Sequence, residues 1–442
     1  MKLLESRKQK YILYVTSVLV IYMPLHVLIS QSASLLTGGL EVWKAGKDVL
    51  VFALAPPLLY AAYKKGLHKD RTFQLLLGLG ALYALLHGLY ILFDKNDDTG
   101  SALVGTVFNT RLLAYLLLGY VTGAAAFGKR YAKIITTAAL LVAGAVALFG
   151  VLQYFLPHDL LTHVGYTLDR GVKPLFYIDD KPDLPRVMST LKDPNSLGAY
   201  LILPLLMSIW AFVQPKVNKA IFIRPLRREV LGAIAILCAV CLFLTFSRGA
   251  LIALLCSVVT ILYIVSGGSA YRWAQKYKII LLGLVVIVGF VAAKLSNTYL
   301  VQNLVFHADQ STVLADPNEL RVQILRNVSR EVEHHPLGHG PGSAGLVSIS
   351  NPKGTVLTED YYLQIAYEVG WLGVALFLAI LGLLAWQLYK NRTDPLAAVL
   401  LAALVGCAFY SLLIHLWSNE AVALQWWLLT GICLGSKYKQ AN

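Results

Sequence analysis

Long apolar runs broken by short polar turns recur along the whole chain. Most are roughly 18–22 residues long, enough for a helix to cross the hydrocarbon layer of a bilayer. They predict spans near 11–33, 47–64, 72–92, 111–128, 134–155, 195–214, 229–246, 249–268, 277–295, 367–389, 396–416 and 420–436, twelve in all. Pro56 and Pro57 interrupt the second, and the last is short. The first run follows Arg7, Lys8 and Lys10 as a secretory signal would, yet it continues through about Ala33 without a small-residue cleavage site. It therefore reads as a retained helix. The expected fold class is all-α and polytopic, with about 12 transmembrane helices.

Composition agrees. The chain is 57% hydrophobic and 14% charged, with a mean hydropathy of +0.64, whereas a soluble domain is about a quarter charged. The net charge of +14 is mostly topology. With a cytoplasmic N-terminus, Lys64, Lys65, Lys69 and Arg71, then Lys129, Arg130 and Lys133, then Lys216, Lys219, Arg224, Arg227 and Arg228 fall on one side. Arg272, Lys276, Lys278, Lys390, Arg392, Lys437 and Lys439 join them, as the positive-inside rule requires, with Lys44 and Lys47 as mild exceptions. Both termini are then cytoplasmic, and nothing remains to support nucleic-acid binding. The five cysteines all lie in apolar runs and read as small buried side chains.

This alternation leaves two long segments outside, about 156–194 and 296–366, the second between the ninth and tenth spans. Chemistry is expected where that polar material lies. Within the larger loop, NELRVQILRNVSREVEHHP reads as a short amphipathic helix, and EVEHHPLGHGPGSAG follows as a turn-rich surface. His334, His335 and His339 raise the question of zinc, but the Pro and Gly between them favour a turn with exposed imidazoles, and no metal or other cofactor is expected.

One short turn is chemically conspicuous. In CLFLTFSRGA, Ser247, Arg248 and Gly249 alone separate two apolar runs. Arg248 then stands at the outer, N-terminal end of the eighth span, where the helix dipole disfavours a cation. Snorkelling to headgroups is one reading; a fixed anion beside the guanidinium is the other. Arg186, Arg321 and Arg326 share the same face, each open to a solvated or carboxylate-paired role as well as to a ligand. Arginine's planar fork of donors suits phosphate oxygens.

Four stretches carry a family resemblance: DPNSLGAYLILPL at 193–205, TFSRGA at 245–250, the Arg321 helix leading into HHPLGHGPG at 334–342, and TEDYYLQIAYEVGWLG at 358–373. Together, over roughly 180–390, they resemble the O-antigen ligase and O-antigen polymerase superfamily of membrane glycosyltransferases. The resemblance implies a GT-C-like architecture in the plasma (inner) membrane of a bacterium, with the active site facing the periplasm or cell exterior. It also implies inverting, metal-independent transfer of a glycan from undecaprenyl pyrophosphate to a hydroxyl of a glycan or lipid-linked acceptor. Arg248 and Arg321 would hold the donor pyrophosphate, with Arg186 and Arg326 assisting and Ser247, Asn195 and Tyr362 in support. Residues 181–390 would form the catalytic core, flanked by 1–180 and 391–442.

One departure bears on the reaction. Ligases of this family carry His-Asn ahead of the Tyr-Leu segment; here Glu359 and Asp360 take those places, while Tyr362, Leu363, Gly370 and Gly373 are kept. The change tilts the expectation slightly toward a polysaccharide polymerase, with O-antigen ligase or transfer to lipid A core, protein or wall polymer as the alternative. Glu359 is the first candidate for the base that relieves the acceptor hydroxyl of its proton, against a plain helix-start role; Asp360 and His339 follow. A lipid-linked glycan transporter is the competing class. It calls for ionisable groups near mid-membrane, and the predicted spans are nearly free of them.

Overall fold

Eleven of the twelve expected spans coincide with helices in the computed structural model, which describes residues 2–93, 99–125, 128–178, 181–267, 317–351 and 354–438. The ninth, 277–295, and the first half of the large loop lie outside the described residues. The helices are α1 (Lys2–Thr37), α2 (Leu40–Lys64), α3 (Arg71–Phe93), α4 (Thr99–Gly123), α5 (Gly128–Gln153), α6 (Pro194–Val213), a short α7 (Pro215–Ile221), α8 (Arg228–Leu244) and α9 (Arg248–Val265). Then come α10 (Pro317–His334), α11 (Tyr361–Lys390), α12 (Pro395–Tyr410) and, after a π-turn at Glu420–Leu424, α13 (Gln425–Gly435). Eight of them, α1 to α6 with α9 and α11, are long and apolar enough to cross a membrane. The chain is a largely helical, multi-span membrane protein.

All-helical is not the whole of it. The segment between α5 and α6 holds a two-stranded antiparallel hairpin, β1 (Phe176–Ile178) with β2 (Lys181–Arg186), whose register slips between Tyr177 and Ile178. Strands this short, one of them carrying two prolines, give no alternating pattern to read.

The tightest helix pair is α4 with α13. Added Cβ atoms on Gly119 and Gly123 would come within 2.2 Å of Leu428 O and Ile432 O. Those on Gly431 and Gly435 would lie 2.3 and 2.1 Å from Leu116 O and Tyr120 O. Two small-xxx-small faces thus bring backbone against backbone, where dispersion rather than hydrophobic burial holds membrane helices together.

A second close approach breaks α11. Val369 and Gly370 leave helical geometry, Gly370 at φ 69°, and the freed carbonyls go to the large loop. His339 N–H donates to Tyr367 O at 2.8 Å, Gly340 N–H to Glu368 O at 2.8 Å, and Trp371 N–H returns to Pro336 O at 3.2 Å. A side chain at Gly370 would meet Pro336 O at 2.4 Å, so glycine is required twice, for the φ and for the space. The sequence HHPLGHG is in this way bonded into the helix break, which satisfies backbone groups that the break would otherwise leave unpaired.

The expectation of spans nearly free of charge needs correcting. The fourth was placed at 111–128, with Arg111 at its end, but α4 starts at Thr99. Arg111 is therefore about 18 Å along the helix axis, fully buried, and stacked 4.1 Å from the centre of the Phe108 ring. Its Nη1 donates to Asp48 Oδ2 at 3.0 Å, and its Nη2 to Ser418 O at 2.6 Å and Glu420 Oε1 at 3.2 Å. Lys47 Nζ lies 3.2 Å from Asp48 and 3.9 Å from Glu420, so two cations face two anions. Residues TGSALVGTVFN, too small and polar to score as a span, conceal the true start of α4.

Candidate active site

The SRG turn is built around a tyrosine. Ser247 caps α9 by accepting from Ala250 N–H, and its hydroxyl lies 2.7 Å from Tyr410 Oη at the end of α12. Gly249 leaves room for the Tyr410 ring, which a Cβ would approach to 2.3 Å. Phe246 adopts φ 49°, an uncommon conformation for a bulky residue, to pass from the end of α8 into the cap. Arg248 follows as the first residue of α9 and is exposed, as the pattern of the turn required. Serine and glycine are thus explained by packing, and the arginine between them is exposed.

The segment before α6 closes on the same turn. Arg186 Nε donates to Thr245 O at 2.9 Å and its Nη2 to Asn195 Oδ1 at 3.0 Å, tying Arg186 to a carbonyl three residues from Arg248. Asp193 caps α6, accepting from Ser196 N–H at 2.8 Å and from its hydroxyl at 2.6 Å. Asn419 Nδ2 donates to that same hydroxyl at 2.6 Å. The DPNS motif is a helix start bolted to the segment after α12.

From the large loop, α10 presents Arg321. The helix is amphipathic as expected, with Val328 and Val332 buried. Arg321 Nε sits 3.2 Å from Glu359 Oε2, so the carboxylate partner left open by the sequence is Glu359 itself. Glu359 has φ 59°, a second non-glycine residue in the left-handed region beside the site. The helix-start role falls elsewhere: Asp360 is the N-cap of α11, accepting from Leu363 N–H at 2.8 Å. Burial raises the Asp360 carboxyl above the usual range, while the hydrogen bonds from Leu363 and Tyr362 oppose this.

Glu359 opens on a cavity of about 180 Å³, lined also by Lys192, Asp193, Asn195, His415 and Asn419. Thr358 gives its one hydroxyl proton to Asp360 O at 2.8 Å, so His415 Nε2, 2.8 Å away, must be the donor to Thr358. Burial, reinforced by Lys192, pushes the His415 imidazole down to about 4. It is a neutral ring of fixed tautomer beside the carboxylate.

Arg186, Asn195, Ser247, Arg248, Arg321 and Glu359 therefore come to one region, where Tyr410 lies within electrostatic reach of Arg186, Arg321 and Asp193. Arg326 is exposed five residues after Arg321, about 140° further round the helix, and faces another way. Tyr362 donates to Ala408 O at 3.0 Å and accepts from Trp417 Nε1, a packing role. His339 stacks on Tyr367 at 4.2 Å and faces Glu331. Tyr410, Thr358, Asp193 and His415 were not singled out as site residues. Only the capping pattern of Asp193 could have been read from the sequence.

Residues 233–378 match the family model described as O-antigen ligase. That range holds the SRG turn, the described part of the large loop and Glu359; Arg186, Asn195, Tyr410 and His415 lie outside it. No curated protein matches the chain.

Proposed function

This chain belongs, through residues 233–378, to the O-antigen ligase/polymerase superfamily, and from that premise we propose that it transfers a glycan from a polyprenyl-pyrophosphate carrier to a hydroxyl acceptor at the outer face of a bacterial inner membrane. The observation that carries the reading is the Arg321–Glu359 pair at 3.2 Å, beside a cavity that Glu359 shares with the Arg186 partner Asn195.

The donor pyrophosphate takes the place of the Glu359 carboxylate on Arg321, with Arg248 and Arg186 closing round it. Guanidinium groups, already in position, stabilise the charge that develops as the bond from the anomeric carbon to the pyrophosphate breaks. The acceptor oxygen forms its bond from the opposite side of that carbon, so configuration inverts. Its proton goes to Glu359, released by the same exchange. Lysine keeps the charge at these positions but loses the fork. Arg248→Lys and Arg321→Lys are each expected to lower turnover at least about tenfold, from one lost charge-assisted bond of roughly 1.5–3 kcal/mol. Near-native turnover in either variant removes that residue from the clamp.

Ligase-type transfer to a different acceptor molecule is the favoured form, because the matching model is that of the ligases. Chain extension by a polymerase is the second form, favoured by Glu359-Asp360 standing where ligases carry His-Asn. Purified protein supplied with one defined lipid-linked donor and a candidate acceptor separates them. A single transfer with release of carrier pyrophosphate supports the ligase; a ladder of repeats supports the polymerase; carrier movement without cleavage refutes both. The core is assigned to residues 181–390, with 1–180 and 391–442 as flanking helices.

A further inference from the structure

The end of α10 farthest from Arg321 holds three possible ligands of one metal ion. Glu331, His335 and His339 each place a ligand atom within 4.8 Å of the others. Glu331 Oε1 lies 3.0 Å from His335 Nδ1 and 3.3 Å from His339 Nε2. The two imidazole rings are 4.6 Å apart. Zinc bonds of roughly 2.0–2.2 Å to N and O set neighbouring tetrahedral ligand atoms about 3.3 Å apart. Two edges of the triangle already have that length, and the exposed His335 ring is free to rotate and close the third.

The tautomer of His339 supplies a second argument. Its Nδ1 faces the carbonyl of Tyr367 at 3.3 Å, and a carbonyl only accepts, so Nδ1 carries the proton. That leaves Nε2 to face Glu331 Oε1, 3.3 Å away. A backbone carbonyl holding the far nitrogen of the ring is also the usual support of a metal-bound histidine. Stacking on Tyr367 at 4.2 Å fixes the ring plane.

The geometry points to a zinc site formed by Glu331, His335 and His339, with water as the fourth ligand. For His335 Nδ1 to bind, the ring's single N–H must stand on Nε2, which a neutral Nδ1–H ring reaches by passing that proton through solvent from Nδ1 to Nε2. Glu331 and His335 are one turn apart on and just beyond α10, whereas His339 is bonded through its backbone to α11. The ion would pin the end of the loop helix to the broken span. This assignment is separate from the proposed transfer, which draws on the arginines and Glu359.

Tag-free full-length protein in detergent, stripped with chelator, re-exposed to zinc chloride and desalted, is to be analysed for bound metal by mass spectrometry, with cobalt absorption reporting coordination. About one zinc per chain and a four-coordinate cobalt spectrum are expected. His335→Ala and His339→Ala should each weaken zinc binding at least about 100-fold, since even outer-shell partners are worth about 10–100-fold. His334→Ala, one residue away but outside the triangle, should bind as the parent does. His335 is exposed, so its variant is expected to fold and give a clean reading. Failure to retain zinc, or equal retention after His335→Ala, overturns the site.

Discussion

Glu359→Gln is expected to slow single-turnover transfer by about 10²–10⁴-fold, the usual worth of general-base assistance, while donor affinity moves by no more than about fivefold. The two numbers have different origins. Glutamine keeps the shape of the side chain and an acceptor for Arg321, but it cannot take a proton from the acceptor hydroxyl. The pair it replaces is only partly screened from water, at 47% and 32% side-chain exposure. Ion pairs of that kind are worth at most about 1 kcal/mol, which bounds the change in donor binding. The arginine variants should show the opposite pattern, with binding weakened first. Rapid-quench transfer measured alongside donor affinity distinguishes the cases. If glutamine transfers at the parent rate, the proton goes elsewhere. His415, a neutral ring on the same cavity, then becomes the group to test, since Asp360 is engaged as a cap.

Removing Arg111 should cost the fold more than any surface change. Arg111→Ala leaves Asp48 and Glu420 in the bundle interior with Lys47 as their remaining cation. Breaking a buried pair by deleting one partner typically costs about 3–5 kcal/mol, because the surviving charge stays desolvated. A large fall in detergent-phase thermal stability is expected, larger than for Arg321→Ala on the loop. Arg111→Met combined with Glu420→Gln should lose less than the sum of the two single changes, since the groups couple directly. Equal stability of Arg111→Ala and the parent would show that the four charges do not act as one network.

What could be read from the chain alone divides along physical lines. Apolar length announces a membrane helix without reference to any neighbour, so α3, α6 and α9 were legible to within a few residues. The start of α4 was not, because Gly100, Ser101, Thr106 and Asn109 dilute its hydropathy. The turn at Ser247–Gly249 could be read from the two apolar runs that meet there. The meeting of Arg321 with Glu359 could not, since the two are separated by the whole turn-rich stretch that docks on α11. Whether Glu359 or Asp360 caps α11 depends on one residue of register, and only coordinates decide it. Arg326 was grouped with Arg321 by proximity in sequence, although helical spacing already turns it aside.

The glycine seam has a kinematic consequence. An alternating-access carrier works by letting two bundles part around its charged centre. Here the charged centre straddles α4, which supplies Arg111, and the segment leading into α13, which supplies Glu420. Those are the elements whose backbones meet at Gly119, Gly123, Gly431 and Gly435 with no side chain between them. Any rocking that opened the charges to one side would have to pull this seam apart first. Along that line the bundle is braced as a fixed frame.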